Sequence, residues 1–588
     1  MRRIALCIAA SFAVSICLAT ASAAETSLPL FLGVTREKLP LRAEAEPEFL
    51  NLDSTRCRVL IVGGLDGSKA SEAAALAAWS WFRTAADAEP LRDKLTLAVI
   101  AAGNPEGLQR QLGAKNSVGG NPSRGYPPSA KAYDDAQNPE SIYLWRGIGL
   151  LAPDVVVVVE HGSQHVWHIG SSVADFDLSL ATSLQPRSSG AADELDAVLP
   201  KKAAAEVGLI PAIGVRVTGS ENFLSMLAPI LAIKNPRSPA RIELQRRIAR
   251  SPIQVAEELS AVYGQQLNEV AYIPAVALIG RLRLGDLTQN ERHRKDVERI
   301  VEPYRSAAKP ALGKGASGST LSGHLVFGEL ADLTRDARFI ELTRAAADLG
   351  FDATGKPLKA MPFHAEMSDA VFMGTPILAQ AGRLTRDPKY AEMALTHLRF
   401  MVQLNQRPDG LHQHSPVDPE RTAWGRGNGF VTLGLALTLS ELPDSGPQHD
   451  EVLKLYRDHL AVMLRHQDAV GMWHQVVDHP ESYPELTVTC MTTFSIARGL
   501  RRGWLDRATY EPVIRRAWSS IKTRVGPSGS LVDVCTGTGK MKSLREYFDR
   551  PANFGKDDRG GAMALLVATE LAFAEREGKL TLLPLVSK

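Results

Sequence analysis

LTRDPKYAEMALTHLRF (residues 384–400) decides the fold, because LTRDARFIELTRAAADL (333–349) is the same segment met 51 residues earlier. Each copy places a short Arg-Asp turn before an amphipathic helix, with an aromatic residue, Phe339 or Tyr390, at the same position. A more apolar helix precedes each copy, over 321–332 and 370–382. Apolar helix, tight turn and amphipathic helix, repeated, describe two concentric rings of helices, the inner buried and the outer half wetted. Further pairs follow at 430–467, at 486–523 and at 560–577 with a weaker partner, after an opening pair around 250–303. About twelve helices then close an all-α (α/α)6 toroid of six hairpins over residues 242–585.

The first part of the chain reads differently. Strand-like runs, CRVLIVGGLDG (57–67), KLTLAVIAAGNPEG (94–107), PDVVVVVEHGS (153–163) and AIGVRVTGS (212–220), alternate with helical stretches such as 70–87. Val156–Val159 has no polar alternation, as a strand covered on both faces requires. Residues 25–235 therefore predict an α/β domain with a parallel or mixed sheet. IKNPRSPARI (233–242) carries two prolines and predicts the linker.

Bulk properties exclude more than they assign. Of 588 residues 45% are hydrophobic and 22% charged, and 67 basic residues against 65 acidic ones leave a formal charge of +2, so nothing calls for a nucleic acid partner. The chain opens MRRIALCIAASFAVSICLATASAAET: two arginines, an apolar stretch, then an A-x-A-like site at Ala21-Ser22-Ala23. That predicts a secretory signal over 1–24 and an exported protein, periplasmic or extracellular. No later segment predicts a membrane span. Cys57, Cys490 and Cys535 remain after the signal, too few and too scattered for a disulfide framework or a zinc site, and read as small buried hydrophobes.

Four segments of the helical part are unusual for plain scaffold. Asp369 stands at the threshold of an apolar helix in EMSDAVFMGTPILAQAG (366–382). RPDGLHQHSP (407–416) brings His412 and His414, AWGRGNGF (423–430) brings Trp424 and Arg426, and GMWHQVVDHPESYPELT (471–487) brings Trp473, His474 and Glu485. In a toroid such loops gather at one mouth. Aromatic faces, a guanidinium, imidazoles and a carboxyl group together suit an anionic sugar, which would stack, pair its carboxylate and receive a proton. Each residue also has a plainer reading. Ser368-Asp369 and Asn428 are good helix caps, Trp424 could be core, and His414 could be a loop hydrogen bonder.

Taken in order, MSDAVFMGTPILAQAGRLTRDPKY, DGLHQH, WGRGNGF, GMWHQVVD and CTGTG…YFDRP resemble glycoside hydrolase families 88 and 105, the unsaturated glucuronyl and rhamnogalacturonyl hydrolases, over residues 260–580. The resemblance implies a glycoside hydrolase acting on an unsaturated uronyl oligosaccharide, without cofactor or metal. It implies Asp369 as general acid and base, and His414, Trp424 and Arg426 as substrate-binding residues. Trp473 and His474 join that substrate-binding set from their loop. The implied chemistry is hydration of a vinyl ether: the acid protonates carbon 4 of a 4,5-unsaturated uronate, water adds at carbon 5, and the hemiketal collapses. One departure stands out. The family carries a second aspartate at an earlier inner helix, where GASGSTLSGHLVFGEL (315–330) offers Ser319, Thr320 and Ser322, with His324 and Glu329 the nearest ionisable residues.

The α/β part resembles, more weakly, zinc carboxypeptidases. VLIVGGLDGS, AAGNPEG and PDVVVVVEHGS look like that fold's metal-bearing segments, but Asp66 stands where a His is needed and Lys69 where a Glu is needed, leaving His161. A zinc site cannot survive such a ligand set, so the domain is expected to be carboxypeptidase-like without zinc. His161, His165 and His168 leave another metal site open. The alternatives to a hydrolase are a polysaccharide lyase on a similar toroid, a glycan-binding protein without turnover and, third, a zinc peptidase, which would require stoichiometric zinc despite Asp66 and Lys69. The sequence leaves the oligomeric state open.

Overall fold

The computed structural model describes residues 27–128, 135–169, 187–188, 190–219, 222–363, 366–582. The expected signal over 1–24 lies outside the described residues.

The chain begins with an eight-stranded sheet. Its strands are β1 (Leu28–Val34), β2 (Pro40–Ala45), β3 (Cys57–Val62), β4 (Leu95–Ile100), β5 (Val155–His161), β6 (Val166–Ile169), β7 (Arg187–Ser188) and β8 (Ala212–Val217), in the order β1-β2-β4-β3-β5-β8-β6-β7. The centre, β4-β3-β5-β8, is parallel, and antiparallel pairings flank it. Val156 and Val158 enter the core on one face, and Val155, Val157 and Val159 the core on the other. A strand wrapped by helices on both sides needs no polar alternation, and β5 has none. Two helices matter below: α1 (Lys69–Thr84) and α2 (Pro139–Leu151).

The remainder is the double ring. Six inner helices, α4 (Tyr272–Thr288), α6 (Leu325–Thr334), α8 (Ala370–Thr385), α10 (Gly425–Glu441), α12 (Leu486–Arg502) and α14 (Asp558–Arg576), each pack on the next and back on the first. Behind them stand α3 (Pro252–Ser260), α5 (Glu291–Arg305), α7 (Ala337–Asp348), α9 (Pro388–Asn405), α11 (Pro447–Leu464) and α13 (Arg507–Arg524). The repeated turn has a physical cause. Arg335 and Arg386 both take the left-handed conformation, φ 60° and 59°, and end their helices. Asp336 and Asp387 then cap the next helices by accepting from the N–H groups of Arg338 and Lys389. The weak partner expected for 560–577 is α3: the first helix of the ring is the outer neighbour of the last. A small ribbon, β9 (Leu531–Cys535) with β10 (Ala552–Gly555), lies between α13 and α14.

The two parts share a core. Leu32, Tyr143 and Trp145 of the α/β part belong to the same apolar cluster as Trp424, Val476, Tyr483, Cys535 and Tyr547 of the ring's loops. Polar contacts cross as well: Arg545 donates to the carbonyls of Thr35 and Arg36, and Arg36 pairs with Asp549 at 2.9 Å. All three cysteines expected inside are buried and unpaired.

Candidate active site

The site starts from a cap that does not cap. An N-cap side chain accepts from the first turn only when its own backbone is extended. Asp369 is already helical, φ −52° and ψ −28°, because Met367 and Ser368 have begun the turn, with Ala370 N–H bonded to Met367 and Val371 N–H to Ser368. Its carboxylate therefore points away from the helix end and makes no capping bond. Asp369 is 2% exposed, and its Oδ1 has no hydrogen-bond partner.

Neighbouring segments are built to that carboxylate. His414 Nε2 lies 3.5 Å from Oδ1, too far for a hydrogen bond, and is itself unpartnered. The other ring nitrogen, Nδ1, meets the Tyr547 hydroxyl at 2.8 Å. The His414 backbone is fixed twice, accepting from Ser368 N–H and donating to the Thr422 carbonyl, both at 2.9 Å. Asn428, inside α10 rather than at its cap, receives the N–H of His412 and donates to the carbonyls of His412 and Trp424, so the histidine loop is stitched to the helix. Gly427 is needed for the approach: a Cβ there would stand 2.6 Å from the Ser368 hydroxyl and 3.6 Å from Asp369 Oδ1.

Arg426, 1% exposed, donates Nε–H to Thr487 Oγ1 at 2.9 Å and further N–H groups to the carbonyls of Gly537 (3.0 Å) and Cys535. That leaves part of its five-donor fork unspent. Tyr272, at the start of α4, closes the floor against Phe372 and Phe430, with ring centroids 6.0 and 5.5 Å away. Burial pushes its phenol above the ordinary value, the Arg426 and Arg559 guanidiniums pull it back, and Asp369 pushes it up again. Its hydroxyl, too, is buried without a partner. Native interiors satisfy nearly all buried polar atoms. Here Asp369 Oδ1, His414 Nε2, the Ser368 and Tyr272 hydroxyls and Arg559 Nε are all orphaned in one neighbourhood.

Other carboxylates nearby are committed. Glu485 accepts from Val488 N–H, Thr487 Oγ1 and Cys535 N–H, and lies 3.7 Å from Arg426. Asp418 accepts from the N–H groups of Glu420 and Thr422. Paired-carboxylate hydrolysis needs two free acids across the bond. Among the described residues this cluster offers one, Asp369.

The structure brings Asp369, His414 and Arg426 together and gives the other expected residues different places. Trp424 is fully buried, its faces taken by Arg550 at 4.8 Å, Arg426 at 5.3 Å and the His414 ring at 4.3 Å, so it positions the imidazole rather than offering an open stacking face. Trp473 is buried with its indole N–H on the Met463 carbonyl at 2.7 Å. His474 is held between the Ser482 carbonyl and Asp468. Both build their loop. At the earlier inner helix, Ser319 accepts from Tyr272 N–H, and His324 bonds the Thr320 carbonyl while burial pushes its imidazole down to about 4. Glu329 lines a cavity at the far end of the barrel with Arg283, Glu441 and Arg498, and supplies no acid to the mouth. Tyr272 and Tyr547 were not singled out from sequence; Tyr547 lies in YFDRP, the one available signal.

In the α/β part, Asp66 spends its carboxylate on structure, accepting from Ser68 N–H and Ser71 Oγ with one oxygen and His161 N–H with the other. Lys69 pairs with Glu72 at 2.8 Å. These side chains do not fit a zinc ion. His165 packs edge-on against Trp167. Among the described residues no group of three or more His, Cys, Asp or Glu side chains is placed to hold a metal.

Comparison with known proteins gives the same region. The profile described as Glycosyl Hydrolase Family 88 matches residues 245–574. Over 170 residues the chain is 31% identical to an "Unsaturated 3S-rhamnoglycuronyl hydrolase" of Formosa agariphila, covering 26% of this chain and 45% of that protein. Over 289 residues it is 25% identical to "Unsaturated rhamnogalacturonyl hydrolase YesR" of Bacillus subtilis, covering 47% of this chain and 82% of the relative. A crystal structure titled as a possible member of the GH105 family, from Salmonella enterica, superposes with a TM-score of 0.47 at 21% identity, over 57% of this chain and 94% of that one. The chain spans less than half the length of the two rhamnoglycuronyl hydrolases it matches, 45% and 42%.

Proposed function

The chain belongs to Glycosyl Hydrolase Family 88, and from that membership we propose that it removes a 4,5-unsaturated uronic acid from the non-reducing end of lyase-generated oligosaccharides. One observation carries the reading: Asp369 is a buried carboxyl group whose Oδ1 has no hydrogen-bond partner, beside an equally unpartnered His414 nitrogen. The Asp369 carboxyl gives its proton to carbon 4 of the vinyl ether, and positive charge develops at carbon 5 and the ring oxygen. The carboxylate so formed takes a proton from a water molecule as its oxygen adds at carbon 5. The hemiketal then collapses and frees the next sugar. A single carboxyl group serves both steps, which matches the single free acid of the site. Arg426 faces the uronate carboxylate with its unspent donors. His414, braced by Tyr547 and Trp424, orients the sugar beside Asp369.

The protein is read as exported, periplasmic or extracellular, on the strength of its first 24 residues. It divides into a carboxypeptidase-like domain over 25–235, supported by the parallel centre of the sheet, and the catalytic ring over 242–585. Asp66 and Lys69 argue for a scaffold role for the first domain.

The test is to offer products of lyases acting on pectin, ulvan and glycosaminoglycans and to follow the ultraviolet absorbance of the conjugated double bond. The relatives' names put rhamnoglycuronyl and rhamnogalacturonyl products first. Falling absorbance with release of the next sugar is expected. Rising absorbance on intact polysaccharide would instead identify a lyase, and no change on any of them overturns the reading.

A further inference from the structure

We propose that the α/β domain is a working part of the uronate site, with Arg146 of α2 as a positioning residue for Arg426; this rests on the role given to Arg426 above. Arg146 is 2% exposed and reaches across the domain junction to Asp533 of β9, Nε to Oδ1 at 2.5 Å and a second nitrogen to Oδ2 at 2.8 Å. Its remaining nitrogen donates to the Leu32 carbonyl of β1 at 3.2 Å, which anchors it in its own domain. Arg524 of α13 completes the grip on Asp533 Oδ2 at 2.7 Å. Asp533 is fully buried and takes a left-handed backbone conformation, φ 70°.

Two residues further along the same strand, the Cys535 carbonyl accepts from Arg426 while the Cys535 N–H donates to Glu485 at 3.0 Å; the Gly537 carbonyl takes another Arg426 N–H. The strand is therefore the seat of the guanidinium. Among the described residues β9 pairs with β10 in a two-stranded ribbon, Leu531 bridges Val525, and all five strand residues are buried, so the Arg146 fork is the α/β domain's share in fixing the strand. A two-pronged, fully desolvated Arg–carboxylate pair sets both distance and angle. Through it α2 fixes where the Cys535 and Gly537 carbonyls stand, and so where Arg426 presents its free donors. The side chains of Asp66 and Lys69 do not fit a zinc ion, and this contact gives the α/β domain a part in the sugar chemistry.

The experiment is a double-mutant cycle on the full-length chain with unsaturated uronyl oligosaccharides. Arg146→Lys keeps the charge and gives up the fork. It is expected to raise KM about tenfold with kcat within about twofold, because a misplaced carboxylate clamp weakens ground and transition states alike. Added to Arg426→Lys it is expected to change KM no further, since the two act through one contact. Amide exchange over 531–537, which needs no substrate, is expected to quicken in Arg146→Lys. Unchanged KM, additive effects in the cycle, or unchanged exchange each overturn the proposal. Should Arg146→Lys give no soluble protein, Asp533→Asn is read in the same three ways. A wild-type chain inert on every unsaturated uronide overturns the functional reading instead, and the exchange measurement then decides the coupling of α2 to β9 by itself.

Discussion

The two ends of the helical barrel each bury a carboxylate, and they treat it in opposite ways. At the mouth Asp369 has no hydrogen bond to Oδ1 and a histidine at 3.5 Å. At the far end Glu570, fully buried on α14, is gripped by Arg498 and Arg501, at 2.8 and 2.7 Å, and by Arg283. Burial works against the Glu570 charge, but Arg498 and Arg283 overcome it and hold the carboxyl well below the usual carboxylate range. A buried acid surrounded by guanidiniums is fixed in one protonation state and serves as a joint. An acid without partners can pass a proton on. Burial alone therefore does not mark a site; the satisfaction of the buried group does.

That contrast breaks if the two acids respond alike to loss of charge. Asp369→Asn is expected to lower kcat by roughly 10²- to 10⁴-fold, the usual share of a general acid. Its melting temperature is expected to stay level, since the amide keeps the side chain's shape and Oδ1 has no hydrogen bond to lose. Calorimetry beside the absorbance assay checks both. Glu570→Gln is expected to do the reverse, costing about 3–5 kcal/mol in denaturant unfolding while the folded fraction keeps its kcat. Tyr547→Phe deletes the 2.8 Å bond behind His414 and is expected to cost about 1 kcal/mol, or roughly fivefold in kcat/KM, with little change in stability.

A separate effect concerns acid. Burial pushes His459 down to about 4 and His412, packed edge-on against it at 5.1 Å, well below the ordinary value. Both are neutral in the fold, whereas an unfolded His takes its proton at 6.5. Stability present above pH 6.5 is thus lost as pH falls from 6.5 toward 4, by on the order of 3 kcal/mol for His459. Glu570 stays ionised across that window and takes no part; His324, also pushed down to about 4, adds to the loss, and Glu140 and Asp196, raised by burial to about 7, oppose it. Unfolding of the wild type and of His459→Gln, each measured at pH 7 and pH 4.5, isolates the His459 share: the wild type is expected to lose more stability on acidification than the variant by on the order of 2–3 kcal/mol.

Much of this was legible in the sequence. The Thr-Arg-Asp turn repeats because an arginine must close one helix in the left-handed conformation and an aspartate must open the next, so local chemistry wrote the periodicity directly. Asp369, His414 and Arg426 were legible because their segments depart from helix-packing composition. Trp473 and His474 were not separable from them, because an aromatic residue beside a histidine reads the same whether it faces a sugar or a methionine carbonyl. Tyr272 gave no signal: it opens an ordinary apolar helix, and only the closing of the ring carries its hydroxyl toward Asp369. The junction at Arg146 and Asp533 was equally silent, since hundreds of residues separate two charges that become neighbours only in the folded chain.

The closure of the ring by α3 against α14 has a consequence for how the protein is made. Translation delivers the first helix of the barrel long before the last, and most of the helical part must leave the ribosome before α3 meets its neighbour. Until then α3 presents Val255, Ala256 and Leu259, all buried in the finished structure, to whatever surrounds the growing chain. The contact that seals the barrel is therefore its most distant in sequence and the slowest to close. Chaperone protection of the nascent chain is most valuable over that interval.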